Sequence, residues 1–477
     1  MNLIWIVVDS LRADYLGCYG NNWVKTPYID KLAKEGVLFE NAYIEGFPTI
    51  PARYVFFTGK YAIPFHGWEP LKPGDVTIAQ ILGRRGSFAV PTLGVEDYIC
   101  AFITDTYHLF KLNYHRGFHS FIWIRGQEFD NYNTDPSIGP GELKRHMTPR
   151  WEALEKRWAR PREWFYQYYR NVADRECEED YFPARVVRES IKWLERNYKH
   201  EKFFLYVDIF DPHEPWDPPE YYYDMYKPPR YNGPIPIWAG FMSPFPEDYS
   251  DEELEAMKAA YAGEVTMVDY WIGRLLEKID NLGLSDETLV VLTSDHGTAH
   301  GEHGFIGKTP CGYREVNRIP LIIRCPGGPR GLRVSQPVWA PDLMPTLLDI
   351  LSIKVEVEIH GRSFWPMVLG EEERYREFVV CGSGGALKAG KKSVPFGSLG
   401  HLPPELRRRV IAMNARELYL FDGEWSFMYA PTVGNELYNV ASDPMETENL
   451  VSEYPEKAEE MLSRVKRYLE EVSLLKP

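Results

Sequence analysis

Three short apolar runs stand out along the chain: Leu3–Val8, Phe203–Phe210 and Leu289–Thr293. Each is rich in Val, Ile, Leu and Phe, the pattern of a strand buried on both faces. Each also ends abruptly in polar residues. Asp9 and Ser10 follow the first, Asp211, Pro212 and His213 the second, and Ser294, Asp295 and His296 the third. Helical periodicity lies between the runs. Thr26 and Pro27 cap a helix that runs to Gly36. Ser250-x-x-Glu253 reads as a capping box for a long helix, with Leu254, Met257, Tyr261, Val265, Val268, Ile272, Leu275 and Ile279 on one side. Strands alternating with helices predict an α/β fold with a mostly parallel sheet flanked by helices on both faces. Such sheets bind ligands beyond the C-terminal strand ends. The three polar clusters are therefore expected to converge.

Elsewhere the pattern changes. Residues 120–185 are rich in Trp, Tyr, Arg and Pro and read as an insertion with one or two helices, a lid or an oligomer contact. The Pro- and aromatic-rich stretch 212–248 reads as a loop over the site. Beyond about residue 370, strand-like runs at Phe378–Cys381, Leu418–Phe421 and Trp425–Tyr429 precede an amphipathic helix, Glu456–Val472. The expected organisation is a catalytic domain over 1–370 and a small α+β subdomain over 371–477.

Composition narrows the partners. The 54 Lys and Arg against 69 Asp and Glu give a formal charge of −15, which argues against nucleic acid or an anionic membrane. An anionic substrate would need a local site that overrides this field. The opening MNLIWIVVDS has no basic start and reads as a strand, not a secretory signal. No stretch approaches the roughly 18 apolar residues of a spanning helix. The six cysteines show no metal-type spacing. Reduced thiols in a cytoplasmic protein are the expectation.

Several residue sets carry candidate chemistry. Asp9, Asp295 and His296, at strand ends, suit one divalent metal; the plainer alternative is that the aspartates cap loops. In PTIPAR, 48–53, Thr49 reads as a helix N-cap, with Arg53 one turn later on the same side. A threonine hydroxyl is a weak nucleophile at neutral pH, and placing Thr49 on the metal would remove that difficulty. Glycines at 297, 301, 304 and 307 make a loop that lets His300, His303 and Lys308 face a ligand. His213 is either a general acid or a structural histidine among aromatics. Asp105, Thr106 and His108 follow an apolar run and are weaker substrate-binding candidates. Asp208, Asp211, His213 and His303 are possible ligands of a second metal but form no clear set.

Together these motifs resemble the sulfatase branch of the alkaline phosphatase-like superfamily. IVVDSLRADYLGCYG, TPYIDKLAKEGVLFENAY, TSDHGTAHGEHGFIGK, RIPLIIRCPGG, PDLMPTLLDILSI, HGRSFWPMVLG and ELYNVASDPMETENL resemble its landmarks in order. The resemblance implies an alkaline phosphatase-like fold and a metal-dependent hydrolase. Two features depart from typical sulfatases. Thr49 stands where they carry the Cys or Ser that becomes formylglycine, and threonine is the nucleophile in nucleotide pyrophosphatase/phosphodiesterase relatives. Asp9-Ser10 with Asp295-His296 and Lys308, thirteen residues beyond Asp295, is similar to the set in phosphonate monoester hydrolases. There the positions of His213 and Thr106 contact substrate or leaving group. The lysine and histidine of the sulfatase GKWH segment fall on Thr106 and His108. The imidazole favours Mn2+ or Zn2+ over Ca2+, with iron also open.

The reading is a hydrolase of phosphodiesters or phosphonate monoesters acting through a covalent Thr49 intermediate. Arg53 would hold the nucleophile, Lys308 would balance charge, and His213 would protonate the leaving oxygen. Asp105, Thr106, His108 and His303 would contact substrate. Two alternatives stay open: a sulfuric ester hydrolase working without formylglycine, and a non-catalytic anion-binding relative. A small anionic ester is the expected partner, and association with a second copy stays open.

Overall fold

Leu3, Trp5 and Val7 point to one side of their strand, and Ile4, Ile6 and Val8 to the other; all six are fully buried, in two separate apolar cores. This strand, Asn2–Val8, lies inside a nine-stranded sheet. The computed structural model describes residues 1–83, 93, 96–138, 161–238, 243–309, 312–388 and 404–475. Across the sheet the strands run Leu332–Val334, Val37–Tyr43, Arg318–Arg324, Thr288–Ser294, Asn2–Val8, Phe203–Ile209, Ile99–Thr104 and Ser120–Trp123; Val338–Trp339 also pairs with Val37–Tyr43. Arg318–Arg324 is antiparallel to both its neighbours. The other pairings are parallel. The sheet is thus α/β and mostly parallel, as the apolar runs predict.

Register sets the height of the polar clusters. Val8 sits level with Ile209 on one side and Ser294 on the other, and Thr104 is level with Asp208. Asp9, Asp208 and Asp295 therefore leave three adjoining strands at one end of the sheet. One face of the sheet is covered by the helices Thr49–Thr58 and Leu343–Ile350, whose Tyr54, Val55, Phe56, Leu343, Met344 and Leu347 enter one core. The other is covered by Pro27–Glu35, Phe182–Asn197 and Asp251–Asn281. The capping box at Ser250 is formed in both directions, Glu253 N to Ser250 Oγ at 3.2 Å and Ser250 N to Glu253 Oε2 at 2.7 Å.

A five-stranded C-terminal sheet runs Glu436–Asn439, Trp425–Tyr429, Leu418–Phe421, Val379–Ser383 and Gly46–Phe47. Its last strand comes from the N-terminal part of the chain, and Gly382 and Ser383 lie beside Gly46 and Phe47. The C-terminal sheet thus braces the backbone leading into Thr49. The helix Pro455–Leu474 covers it through Met461, Val465, Tyr468 and Val472.

Two local expectations are corrected. Thr49 is not the N-cap: Pro48 holds that position, its carbonyl accepting from Ala52 N at 3.0 Å, and Thr49 is the first residue of the helix. Thr26 does precede the first helix, but its hydroxyl accepts from Gly17 N at 2.9 Å rather than capping. Of the aromatic insertion, Pro161–Asn171 and the start of Phe182–Asn197 are helical, while 139–160 lies outside the described residues. The loop 212–248 contains a short helix, Glu220–Asp224, and its residues 239–242 are likewise outside them. No described helix is long and apolar enough to cross a membrane.

Candidate active site

The first half of the site is built on strand ends. Asp9 and Asp295 are fully buried, and Ser10 ties them together: its hydroxyl donates to Asp9 Oδ1 at 2.8 Å and its backbone N–H to Asp295 Oδ1 at 3.0 Å. This needs Ser10 at φ 58°, a left-handed conformation whose cost the two carboxylate bonds offset. Asp295 Oδ1 also accepts from His296 N at 2.8 Å. His296 Nδ1 is 2.8 Å from the Gly297 carbonyl, so that nitrogen carries the proton and donates. Position 297 must be glycine, because a Cβ there would lie 2.0 Å from the Glu315 carbonyl.

Arg53, fully buried, crosses from the helix Thr49–Thr58 to these acids. Its Nε and Nη2 donate to the Asp208 carboxylate at 3.1 and 3.2 Å. Its Nη1 donates to Asp295 Oδ2 and lies 3.1 Å from Asp9 Oδ2. Burial opposes the guanidinium charge, but Asp208, then Asp295 and Asp9, outweigh it and hold Arg53 protonated. Thr106 adds a hydroxyl bond to Asp208 Oδ1 at 2.6 Å, which places this predicted substrate contact beneath the arginine.

The remaining atoms fit a cation. Asp9 Oδ2 and His296 Nε2 are buried and make no hydrogen bond in the structure. Ligand atoms of Asp9, Asp295 and His296 all lie within 4.8 Å of one another, the one such group among the described residues. Burial holds His296 neutral, with its pKa down at about 4, which leaves a lone pair on Nε2. Two carboxylates and a neutral imidazole are a coherent donor set for a divalent metal. Thr49, 2% exposed, opens the helix that carries Arg53 to these acids, and Phe47, two residues earlier, packs on the His296 ring at 4.9 Å between centroids.

The second half is built on loops. Lys308 Nζ donates to both Glu214 oxygens, at 2.9 and 3.0 Å, and to His213 Nε2. His213 Nδ1 lies 2.6 Å from the Glu214 carbonyl. These bonds fix the tautomer: Nδ1 donates and Nε2 accepts. Burial, then the Lys308 charge, keep the His213 pKa well below its ordinary value. Glu128 closes the far side. Its Oε2 accepts from His108 Nε2 at 3.1 Å, and its Oε1 is 3.8 Å from His213 Nε2.

Other predicted residues have different neighbours. Asp105 accepts from Phe210 N at 2.8 Å and from Gln127 Nε2 at 3.3 Å. Gln127 also donates to Asp211, at 2.6 Å. His303 stacks on Tyr313 at 3.3 Å, beside Arg416 and Glu436 of the C-terminal part, and His300 Nδ1 is 2.9 Å from the Tyr15 hydroxyl in a box with Trp216 and Tyr261. Of the possible ligands for a second ion, Asp208 spends both oxygens on Arg53 and Thr106, and Asp211 Oδ1 accepts from Gln127. Sequence reasoning missed the roles of Ser10, Asp208, Glu128 and Glu214. Only Asp208 carried a signal, a lone acid inside an apolar strand.

Comparison with known proteins identifies the family and the fold. A family model described as Sulfatase matches residues 1–353. An arylsulfatase of Clostridium perfringens is 28% identical over 406 residues, covering 79% of this chain and 80% of that protein. A multifunctional alkaline phosphatase superfamily protein of Trinickia caryophylli is 27% identical over 424 residues, 77% of each. The structure of a phosphonate monoester hydrolase of Agrobacterium radiobacter superposes with a TM-score of 0.70 at 23% identity, over 98% of this chain and 95% of that one. That likeness bears on fold.

Proposed function

The chain belongs to the sulfatase family of hydrolases, and from that premise we propose that it cleaves phosphodiesters or phosphonate monoesters with Thr49 as nucleophile. One observation carries the reading: Asp9, Asp295 and His296 gather ligand atoms within 4.8 Å of one another, and the buried His296 Nε2 makes no hydrogen bond. Asp9, Asp295, His296 and the Thr49 hydroxyl would hold the metal, and the imidazole favours manganese or zinc. A bound divalent ion would supply Lewis-acid polarisation and a lowered hydroxyl pKa at this position.

The protein's own residues supply the rest. Thr49 Oγ1, its proton lost to solvent, bonds to phosphorus as the opposite P–O bond breaks. Arg53, clamped by Asp208, keeps the helix start and the acids in register. An incoming anion draws one N–H of Lys308 away from His213 Nε2 and toward the non-bridging oxygens. The same anion favours the protonated imidazole, so His213 Nε2 takes up a proton from solvent and passes it to the leaving oxygen. Water then cleaves the phospho-threonine. One lysine on the phosphoryl side suits a singly charged diester better than a dianionic monoester.

Sulfate ester hydrolysis is a second reading, favoured by the arylsulfatase relative. The test is turnover of bis-p-nitrophenyl phosphate, a p-nitrophenyl phenylphosphonate, p-nitrophenyl phosphate and p-nitrophenyl sulfate with Mn2+ or Zn2+. Diester or phosphonate turnover that disappears in Thr49→Ala supports the proposal. Sulfate turnover alone replaces it with the second reading. No turnover and no metal binding would identify a non-catalytic relative.

A further inference from the structure

Glu128 is held at φ 45°, a left-handed backbone angle that a glutamate adopts only at a cost. That backbone places its carboxylate, with 13% of the side chain exposed, between His108 and His213. A row of aromatic rings runs outward from His108. Tyr107 packs on His108 at 3.8 Å, Trp68 stands edge-on to His108 at 4.9 Å, and Phe129 lies 5.6 Å from Tyr107 and stacks on Trp164 at 5.0 Å. Trp68 and Trp164 are 47% and 39% exposed, so the row opens to solvent. The nearby Lys111 ammonium lies 5.2 Å from the centre of the Tyr107 ring, an example of the chemistry such rings favour.

We propose that this aromatic row with the Glu128 carboxylate is the leaving-group subsite, that Glu128 determines specificity there, and that the subsite takes an ammonium-bearing alcohol or phenol. The proposal rests on the hydrolase reading for which side of His213 the leaving group occupies. Its chemistry rests on Glu128 and the rings. A carboxylate at the edge of exposed aromatic faces attracts a cation through both its charge and the ring quadrupoles, and repels an anion. The phosphoryl side would take the opposite character from Lys308 together with the divalent cation that Asp9, Asp295 and His296 would hold. The substrate would then be an ester with its anion against Lys308 and its cation against Glu128.

The test is direct binding to the metal-supplemented protein, followed by tryptophan fluorescence, with phenyltrimethylammonium, benzyl alcohol and benzoate as probes. The expected result is phenyltrimethylammonium binding about tenfold or more tighter than benzoate, with the preference lost in Glu128→Gln. Trp68→Ala, at an exposed position, should weaken phenyltrimethylammonium by about threefold to tenfold with less effect on benzoate, and serves if the glutamine variant does not fold. Equal affinity for benzoate, or a preference that survives both substitutions, overturns the proposal. Binding needs no turnover, so failure of the hydrolase reading would show separately, as inactivity in a protein that still selects the cation. In an active protein, Glu128→Gln should lower kcat/KM for a 3-(trimethylammonio)phenyl ester relative to its 3-nitrophenyl counterpart, whereas a purely structural role would lower both alike.

Discussion

Asp9, Asp208 and Asp295 leave three neighbouring strands and are fully buried, whereas Glu128 and Trp68 come from loops, His108 opens the short helix His108–Lys111, and all three reach solvent. The first half is fixed by the sheet. Its charges are close, opposite and cut off from water, so each holds the others in place. The second half is assembled from segments that meet only in the folded chain, with Lys308 joining them. Chemistry common to a family belongs on the first kind of support, and substrate selection belongs on the second.

Removing the central cation should separate the two halves most sharply. Arg53→Ala strands three buried carboxylates and should destabilise the metal-free protein by about 3–5 kcal/mol. Thermal unfolding with and without Mn2+ or Zn2+ measures it. Metal should recover part of the loss by neutralising Asp9 and Asp295, while Asp208 stays unpaired. An unchanged melting temperature would mean the clamp is not structural.

On the loop side, Lys308→Ala should lower kcat/KM by about a hundredfold to a thousandfold with a smaller effect on folding. Steady-state kinetics beside a melting curve checks it. A large stability loss with little kinetic change would assign Lys308 to holding Glu214 rather than to substrate.

A third test uses pH. Burial, then repulsion from Asp217, raises the Asp211 pKa to about 7. Unfolded, that carboxyl releases its proton near pH 4. Between those values the folded chain binds more protons, so this group's contribution makes stability fall as pH rises from about 4 to 7. Asp211→Asn should flatten that part of the stability–pH curve. An unaltered slope would contradict the assignment.

The smallest effect is expected at Thr106. As a brace for Asp208 it is worth about 1–2 kcal/mol, so Thr106→Val should lower the melting temperature modestly and kcat/KM by less than tenfold. A rise in KM without loss of stability would return Thr106 to the substrate-binding role that the resemblance implies.

The same division governs what the sequence reveals. Apolar runs such as Leu3–Val8 set the strands, and polar residues at their ends mark Asp9, Asp295 and His296 without knowledge of the fold. The strands Leu418–Phe421 and Trp425–Tyr429 are also legible, because their apolar positions need a partner sheet. The Gly46–Phe47 strand is not, since two residues carry no period, and Thr49 reads as a cap because Thr-x-Pro suits one. Ser10, Glu128 and Glu214 escape for another reason. Each acts through atoms far away in the chain, Ser10 on Asp295, Glu128 on His108 and Glu214 on Lys308, and no local pattern encodes such a pairing.

The central claim is that Thr49 attacks the ester beside a cation held by Asp9, Asp295 and His296. Acid quenching during turnover of bis-p-nitrophenyl phosphate, followed by mass spectrometry of the peptide containing Thr49, tests it most directly. A phosphoryl adduct on Thr49 is expected to form with added metal and to be absent from His296→Ala. A fully active Thr49→Ala protein, or an adduct on another residue, would contradict it.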